Sequence, residues 1–382
     1  MKKFNAMARI GFEAQRIFRS KKHGMDFVAL ELLKALKKID QKNEYFVYVN
    51  EGDDPCFESA DNFRVIVHKA PYPLWEQMWL PRRAERDGVH LLHCTSNTAP
   101  IWHNIPLMVT LHDVIYLEKF PLFAPGYTPY QRFGNMYRRW VVKTAIPAAN
   151  RVLTVSQYEV ENVLRFLPAV RDRLYVLYNG VGNHFRKITD RGILQEVIDK
   201  YHLPERFIVF LGNTDPKKNT ENTLKAFAEF SKQSNQSHKL LLGDLNRDFV
   251  KNLLEKNGIP EIIGQIQFTG YIKNTDLPAI LSLADLFLYP SIRESFGIPI
   301  LEAMACGTPV ITSNVTSMPE VAGQAALLVD PHNPSIIASA IRKVLRDQEL
   351  KNTLIERGYE RAKTFKWENS ASQLVNHYKQ LT

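Results

Sequence analysis

The sequence has 382 residues, of which 49 are Lys or Arg and 40 are Asp or Glu, giving a net charge of +9. With 45% hydrophobic residues and three Cys, this composition fits a large soluble protein of two or three domains and excludes a disordered, collagen-like or disulfide-stapled chain. The basic excess lies in the first half, because residues 1–180 hold 25 basic and 18 acidic side chains.

Short apolar runs alternate with amphipathic helical patterns through the first half of the chain. This alternation predicts a parallel sheet covered by helices. The predicted strands are 9–13, 45–49, 64–67, 89–93, 107–111 and 151–155, and the predicted helices are 24–38, 127–148 and 156–166, the last capped by Ser156.

A second alternation of the same kind begins after an irregular polar stretch and a helical segment that stops at Pro204. Its predicted strands are 207–211, 240–242, 266–268, 286–289 and 310–312. We therefore predict two Rossmann-like, doubly wound α/β domains, residues 1–185 and 186–364, with a final helix at about 365–382 that packs back on the first domain. Because ligands bind at the carboxyl ends of strands in such sheets, we expect the two domains to face each other across a ligand-binding cleft.

The most informative segment is 290–311, which reads as a strand end, a loop with Gly297, a short helix and a turn into the next strand. Backbone N–H groups around Phe296, Gly297 and Ile298 are expected at the N-terminus of that helix. Such groups stabilise an anion, for example a diphosphate, without a basic side chain.

Two carboxylates, Glu294 and Glu302, bracket this loop with seven residues between them, including Phe-Gly-Ile-Pro. The pattern resembles the signature of the retaining GT-B glycosyltransferases of family 4. The resemblance implies that Glu294 lies against the hydroxyls of a donor sugar and that Glu302 binds the ribose of its nucleotide. The alternative, which the surrounding match disfavours, is that Glu294 caps the helix and Glu302 forms a surface salt bridge.

The loop at 211–219 follows the first strand of the second domain, where a Rossmann-like unit meets a phosphate. The family carries Gly-Arg here, followed by a Lys five residues after the Arg. The same spacing places Lys218 at the family's lysine, for a pyrophosphate leaving group, and Asn213 at its arginine, which leaves the phosphates one cation short unless Lys217 compensates. A solvated Pro-Lys-Lys turn is the alternative.

Three further residues are assigned by the resemblance. His112, in a Thr-x-His-Asp element at the end of a buried strand, is expected to contact the donor sugar, or else to be a capped structural residue. Tyr271 and Ile272 follow a strand whose backbone meets the nucleobase in the family, or form an ordinary turn.

The first loop departs most from the family, which has Gly-x-Gly-Arg before its first helix. Only Gly24 is retained, with Asp26 at the second Gly and Phe27 at the Arg. The acceptor is therefore expected to be handled differently. Four basic residues lie nearby in sequence and are expected either to meet an acceptor phosphate or to be solvated loop charges: Arg16, Arg19, Lys21 and Lys22.

The resemblance implies a retaining hexosyltransferase that moves a mannosyl or glucosyl group from a GDP- or UDP-sugar to a glycan or lipid-linked acceptor. No Asp-x-Asp pair is present, so no metal or other cofactor is expected. Nucleic acid is not expected as a partner, and no signal peptide is evident, which indicates a cytoplasmic protein with peripheral contact to an anionic membrane face. The expected catalytic residues are Glu294 and His112, and the expected substrate-binding residues are Gly24, Asn213, Lys217, Lys218, Tyr271, Ile272, Ser295, Phe296, Gly297, Ile298 and Glu302.

Three other functional classes are consistent with a two-domain cleft. The first is a non-catalytic glycosyltransferase-like partner subunit, which retention of Glu294, Glu302 and Lys218 disfavours. The second is a sugar phosphorylase or nucleotide-sugar epimerase, which would release a sugar 1-phosphate or an epimerised nucleotide sugar. The third is a periplasmic binding protein, disfavoured without an export signal.

Overall fold

The computed structural model describes residues 7–118, 129–233 and 238–382. They form two compact units. The first runs to Gly180 and also includes Trp367–Thr382, and the second is Val181–Lys366. The boundary lies five residues before the one expected from the sequence.

The first unit contains a seven-stranded parallel sheet in the order β3-β2-β1-β4-β5-β6-β7. Its central strands are buried on both faces, which explains why they read as continuous apolar runs in the sequence. The strands are β1 Arg9–Glu13, β2 Glu44–Val49, β3 Phe63–Val67, β4 Leu91–Cys94, β5 Leu107–Leu111, β6 Arg151–Thr154 and β7 Leu174–Val176.

Helices cover this sheet. A π-helix, Trp75–Trp79, joins α2 to α3, and Ser156 caps α5 by accepting a hydrogen bond from the backbone N–H of Glu159, as predicted. The helices are α1 Gly24–Ile39, α2 Tyr72–Leu74, α3 Leu80–Arg86, α4 Pro129–Ala145 and α5 Gln157–Phe166, with 3-10 turns at Ile115–Leu117, Ile146–Ala148 and Pro168–Arg173.

One helix end and one strand start in this unit differ from the sequence-based expectation by more than one residue. The helix expected at 127–148 ends at Ala145 and tightens into a 3-10 turn, because Pro147 cannot donate to the helical ladder; the first two residues of that prediction lie outside the described residues. The strand expected at 89–93 is β4, which begins at Leu91.

The second unit contains a six-stranded parallel sheet in the order β10-β9-β8-β11-β12-β13. Its strands are β8 Phe207–Phe210, β9 Lys239–Gly243, β10 Ile266–Gly270, β11 Leu286–Tyr289, β12 Val310–Ser313 and β13 Leu327–Val329. Its helices are α6 Arg191–Tyr201, α7 Thr220–Lys232, α8 Arg247–Lys256, α9 Leu277–Leu283, α10 Ile298–Ala305, α11 Met318–Ala322, α12 Pro334–Arg346 and α13 Gln348–Thr364, with 3-10 turns at Pro216–Lys218 and Pro260–Gln265.

The last helix, α14 Trp367–Leu381, belongs to the first unit and is fixed to it by polar contacts. The Ser370 hydroxyl donates to the Tyr178 carbonyl over 2.6 Å, and the fully buried Tyr378 hydroxyl lies 2.8 Å from Nδ1 of His93 in β4. These two contacts span 192 and 285 positions of sequence and attach the last helix to the first unit.

The strand orders define the two places where ligands are expected. In each sheet the chain first moves outward in one direction and then returns to the other side of its first strand. The reversal lies between β1 and β4 in the first unit and between β8 and β11 in the second. In open parallel sheets, the crevice outside the carboxyl ends of these two strands is the usual binding position.

Candidate functional site

The reversal point of the second unit brings together a lysine and a glutamate that are 76 positions apart in sequence. Lys218 ends the 3-10 turn that follows β8, and Glu294 lies in the loop that follows β11. The Lys218 ammonium lies 2.7 Å from Oε1 of Glu294, and only 18% and 14% of the two side chains are exposed. This partly buried ion pair is the centre of the candidate site.

Tyr289 contacts the ammonium of Lys218 with both its hydroxyl and its ring. Its hydroxyl lies 2.7 Å from the Lys218 ammonium, which also stands 4.9 Å from the centre of the Tyr289 ring. Because the ring is buried at the end of β11, it holds the ammonium at a fixed position. Burial raises the pKa of Tyr289 far above its ordinary value, so the hydroxyl keeps its proton.

The segment 211–219 after β8, here called the lysine loop, is fixed by hydrogen bonds of its backbone and of a buried side-chain amide. Asn219 has φ +63, a left-handed conformation that Asn tolerates better than most residues. Its buried side-chain amide donates to the carbonyls of Pro290 and Pro331 over 2.8 and 2.7 Å. The Ile292 N–H donates to the Lys217 carbonyl over 2.7 Å. The loops after β8 and β11 are therefore joined by more than the ion pair.

The loop between β11 and α10, which carries Glu294, is fixed by two residues of the segment after β12. The Glu294 N–H donates to the Thr316 hydroxyl over 3.3 Å, and the Ser317 hydroxyl lies 2.9 and 3.0 Å from the carbonyls of Glu294 and Phe296. Sequence analysis did not identify Thr316, Ser317, Asn219 or Tyr289. Such partners are visible only once the strand order is known.

Gly297 sits at the N-cap of α10 with φ +96, where a side chain would be strained. The first N–H groups of a helix have no acceptor within it, and Pro299 at the second helical position has no N–H. Ser295 and Phe296 precede this turn, and Ile298 is the first helical residue. The expected amide groups thus lie in the loop that also carries Glu294 and at the start of α10.

Glu302 lies one turn further along α10 and is partly exposed. Burial raises the pKa of its carboxyl to about 8. No cation or hydrogen-bond donor from the described residues contacts the carboxylate. A half-buried acid without a protein partner is suited to a ligand that supplies hydroxyl donors.

Two expected residues of the lysine loop face other neighbours. Oδ1 of Asn213 accepts the N–H of Asp215 over 2.9 Å, forming a turn within the loop. The Lys217 ammonium stands 3.5 Å from Asp215 and is 41% exposed. Lys217 is thus a surface cation, and Asn213 supplies no charge. Beyond β10, Tyr271 is exposed and Ile272 is partly buried, with its side chain near Gly243.

The remaining expected residues belong to the first unit. His112 follows β5 and is buried. Its backbone N–H donates to Oδ1 of Asn97, and its ring nitrogen Nε2 lies 2.8 Å from the Thr95 carbonyl oxygen. Burial lowers the pKa of His112. The ring is therefore neutral, with Nε2 donating and Nδ1 left as an acceptor.

Gly24 is the first residue of α1, and a Cβ built on it would touch no other atom within 4 Å. Asp26, which stands where the family has its second Gly, has a structural role. Asp26 accepts the His23 N–H over 2.9 Å, which caps α1, and its other oxygen pairs with Arg16 at 3.0 Å. The acid that replaces the family's second Gly thus anchors the loop after β1.

No group of three or more His, Cys, Asp or Glu side chains that could hold a metal ion occurs within residues 7–118, 129–233 and 238–382. In the same part of the chain, no helix is both long and apolar enough to cross a bilayer.

Comparison with known proteins gives the same family for both halves of the chain. Residues 23–182 match the family model "Glycosyltransferase Family 4", and residues 196–361 match "Glycosyl transferases group 1". O-antigen chain mannosyltransferase B of Escherichia coli is 32% identical over 277 residues, which are 72% of this chain and 70% of that protein. O-antigen chain mannosyltransferase RfbU of Salmonella typhimurium is 27% identical over 70% of this chain and 68% of its own length.

The fold also has close structural neighbours. Anabaena HepE, solved in complex with UDP-glucose, superposes with a TM-score of 0.70 at 19% identity, covering 97% of this chain and 99% of that one. Two parallel α/β units, two family models that together span most of the sequence, and a relative above 30% identity agree. The chain belongs to the GT-B glycosyltransferases of group 1 and family 4, and it is a hexosyltransferase.

Proposed function

We propose that this enzyme transfers a mannosyl or glucosyl group from a GDP- or UDP-sugar to a hydroxyl of a glycan or lipid-linked acceptor, with retention of configuration and without a metal ion. The single observation that carries the proposal is the Lys218–Glu294 pair at the reversal point of the second sheet. The pair holds a cation and a carboxylate 2.7 Å apart, which supports a role for the cation at a leaving diphosphate and for the carboxylate at sugar hydroxyls.

Each part of the donor has a candidate partner. Lys218 and the N–H groups of the turn at Gly297 bind the diphosphate, since both supply positive charge without a metal. Glu302 accepts hydrogen bonds from the ribose hydroxyls, which supply the donors its carboxylate lacks in the protein. The backbone at Tyr271 and Ile272 meets the base.

Glu294 and His112 are each a candidate partner for hydroxyls of the sugar. Glu294 is already oriented by Lys218 and by the backbone contact to Thr316. His112 is neutral, and because its Nε2 is committed to the Thr95 carbonyl, Nδ1 accepts a hydrogen bond from a sugar hydroxyl.

In the proposed reaction, the bond from the anomeric carbon to the diphosphate oxygen breaks while the acceptor oxygen bonds to the same carbon from the same face. The acceptor proton passes to the departing diphosphate. Stabilising this diphosphate is the main catalytic task, which Lys218 and the amide groups perform. The Glu294 carboxylate is paired with the Lys218 ammonium, and its proposed role is to orient the sugar. The proposed reaction therefore has no covalent intermediate on a protein carboxylate, unlike that of retaining glycosidases.

The choice of sugar and acceptor rests on the relatives. Two relatives that align with about 70% of this chain are O-antigen chain mannosyltransferases, which favours a mannosyl donor and a polysaccharide acceptor. The HepE structure with UDP-glucose keeps the glucosyl alternative open.

A surface of the first unit supports contact with an anionic membrane. The helix α4 contains four basic residues and no acidic one, and it exposes Phe133, Met136 and Trp140 at helical spacings of three and four. Trp102, 69% exposed, lies beside Trp140 with their ring centres 6.5 Å apart. We call these four side chains the aromatic face. Exposed Trp and Phe next to Arg and Lys are typical of helices that lie in the interface of an anionic bilayer.

The proposal is tested by incubating the enzyme, in EDTA, with GDP-mannose or UDP-glucose and a mannose-terminated oligosaccharide. We expect one of these donors to yield a glycosylated product, with the anomeric coupling constant in the NMR spectrum reporting the same configuration as the donor. An inverted product would reject retention, and activity that requires added Mg²⁺ or Mn²⁺ would reject metal independence.

The alternative of a non-catalytic partner subunit makes a different prediction in the same assay. A partner subunit would bind the nucleotide sugar without releasing nucleoside diphosphate in the presence of any acceptor. Release of a sugar 1-phosphate from a glycan, with inorganic phosphate supplied, would instead indicate a phosphorylase.

A further inference from the structure

A cavity of about 400 Å³ opens in the first unit. Its wall is formed by the loop after β1, the start of α2, Ser96 in the loop after β4, and the helix α4. It therefore lies at the reversal point between β1 and β4, the position where an open parallel sheet is expected to bind a ligand. Its volume suits a sugar-sized molecule.

The base of the cavity is built on two buried carboxylates. The hydroxyls of Tyr72 and Tyr137, which line the cavity, donate to Glu76 over 2.9 and 2.5 Å. The Ser96 hydroxyl, also in the wall, donates to Glu13 over 3.3 Å. The Tyr137 oxygen also accepts a hydrogen bond from Nε2 of Gln77 over 2.9 Å, and the Tyr72 hydroxyl also contacts the Thr98 hydroxyl. These contacts fix both tyrosine side chains in the wall of the cavity.

Glu76 is a rigid anchor for this wall. It is 2% exposed and also accepts hydrogen bonds from Thr98 and from Nε2 of Gln77. It lies in the π-helix Trp75–Trp79, a conformation that is rare in proteins and often occurs at functional sites. A buried acid held by several donors fixes the two tyrosine rings before any ligand arrives, which favours binding.

The charged groups of the wall are all cations. Arg16, Arg19 and Arg138 line the cavity, and none of the lining residues that the structure describes is an acid. Arg16 pairs with Asp26. Within residues 7–118, 129–233 and 238–382, the Arg138 guanidinium makes a hydrogen bond to Oδ1 of Asn135, at 3.5 Å. A guanidinium group only donates hydrogen bonds, and its planar fork matches phosphate oxygens.

The buried carboxylates do not cancel this charge fully. Burial raises the pKa of both Glu13 and Glu76, and the charge of Glu76 raises the pKa of Glu13 further. Their oxygens are also occupied by the donors named above. The ligand therefore meets aromatic rings and guanidinium groups.

We propose that this cavity binds the acceptor of the proposed glycosyl transfer through a phosphate ester, with Arg19 and Arg138 on the phosphate oxygens and the ring of Tyr72 against the sugar. The inference rests on the proposed function, because an acceptor is meaningful only if a glycosyl group is transferred. It adds a chemical feature of the glycan or lipid-linked acceptor: a phosphate ester on the part of the acceptor that enters the cavity.

The test is direct binding of a hexose 1-phosphate and of the corresponding free hexose, measured by calorimetry. An excess of GDP or UDP occupies the donor site, so that the phosphate of the probe does not bind at Lys218. We expect the phosphate ester to bind at least about tenfold more tightly than the hexose, and this preference to fall as salt rises.

The variants are Arg19→Gln and Arg138→Gln, singly and together, with Arg165→Gln on the exposed side of α5 as the matched control. The double variant is expected to lose the preference for the phosphate ester, while R165Q keeps it. Equal affinity for ester and hexose in the wild type, or an unchanged preference in the double variant, would overturn the proposal. Unchanged melting temperatures exclude a general loss of folding.

The phosphate can belong to a soluble sugar or to a lipid. Phosphatidylcholine vesicles with and without dihexadecyl phosphate form the second arm of the test. Binding of the soluble ester that depends on Arg19 and Arg138 assigns a soluble acceptor, and vesicle binding with the same dependence assigns a lipid-linked one; either supports the cavity. Lack of this dependence in both arms rejects it.

This outcome is separable from the fate of the proposed function. Slow hydrolysis of the nucleotide sugar without acceptor reports the donor site alone. Normal donor hydrolysis with no phosphate preference in the cavity would count against the cavity only. Arginine-dependent binding of the phosphate ester in an enzyme that never cleaves a nucleotide sugar would count against the proposed function.

Discussion

The ammonium of Lys218 lies 2.7 Å from both the Glu294 carboxylate and the Tyr289 hydroxyl. In the unliganded protein the lysine charge is thus already balanced by the acid expected to hold the sugar. A diphosphate that arrives beside Lys218 shares this cation with Glu294. Binding of the two ends of the donor is therefore coupled through one side chain, because each anion changes the environment of the other.

Substituting Glu294 separates the sugar contact from the phosphate contact. Glu294→Gln keeps the shape and can still accept a hydrogen bond from Lys218, but it removes the charge that orients the sugar. We expect turnover to fall by about tenfold to a hundredfold, with affinity for the free nucleoside diphosphate unchanged or higher. Steady-state kinetics and calorimetry measure the two quantities.

The matched control for that substitution is Glu261→Gln, which removes one partner of the surface pair with Lys232. Exposed pairs contribute little, so E261Q should resemble the wild type. If E294Q turns over donor as fast as E261Q, Glu294 does not contact the reacting sugar.

Glu302 makes stability depend on pH. Burial raises the pKa of its carboxyl from 4.5 to about 8, so the folded protein holds this proton more tightly than the unfolded chain. The stabilising contribution is complete below pH 4.5 and is lost as the pH rises toward 8. Relative to Glu302→Gln, which does not titrate, the wild type should therefore lose unfolding free energy between pH 5 and pH 8, as urea titrations can measure. A constant difference across this range would show that the carboxyl titrates normally.

Nucleotide binding gives an independent test of the same residue. If ribose hydroxyls donate to the Glu302 carboxylate, affinity for the nucleoside diphosphate should rise with pH near 8 as the carboxyl ionises. The corresponding affinity of E302Q should be lower and flat over that interval, as calorimetry at several pH values can determine.

Asn219 joins the two loops of the donor site and should be important for stability. Asn219→Ala loses the hydrogen bonds to the Pro290 and Pro331 carbonyls and forces alanine into the left-handed region at φ +63. We expect a loss of about 2 to 4 kcal/mol in unfolding free energy. Asn219→Gly loses the same bonds without the backbone strain and should recover about 1 kcal/mol of it. Equal stability of the two variants would mean that the backbone conformation is not strained.

The aromatic face predicts membrane binding that depends on two tryptophans. Trp102→Ala with Trp140→Ala should weaken binding to phosphatidylglycerol vesicles by about tenfold or more, since both rings are lost from the interface. Ile336→Ala, an exposed apolar residue of α12 in the other unit, is the control. Vesicle sedimentation that is equal for both variants, or that is absent at low salt in the wild type, would remove the membrane proposal.

Much of the fold was predictable because its strands are buried on both faces. Strands such as β5 and β8 are continuous apolar runs, and their positions follow directly from the sequence. The strands β7 and β13 have three residues each, too few for a periodic pattern. The helical stretch from Tyr72 to Arg86 was also missed, because two prolines and a π-helix interrupt its periodicity.

The site was predictable only in part. Glu294 and Lys218 were identified through their spacing within known motifs, but nothing in the sequence indicates that they contact each other. That contact follows from β8 and β11 being neighbours in the sheet. Tyr289 and Glu76 are ordinary residues in sequence, and their importance comes from buried hydrogen bonds to residues of distant segments.

The central claim is that Lys218 binds the diphosphate of a nucleotide sugar without a metal. Its most direct test is calorimetric binding of UDP, GDP and their hexose conjugates, in EDTA, to the wild type, Lys218→Ala and Lys217→Ala. We predict that the nucleotides of one base bind the wild type and K217A alike, and that K218A weakens both diphosphate and sugar conjugate by about 1.5 to 3 kcal/mol. Nucleotide affinity that is unchanged in K218A, or measurable only after a divalent metal is added, would contradict the account.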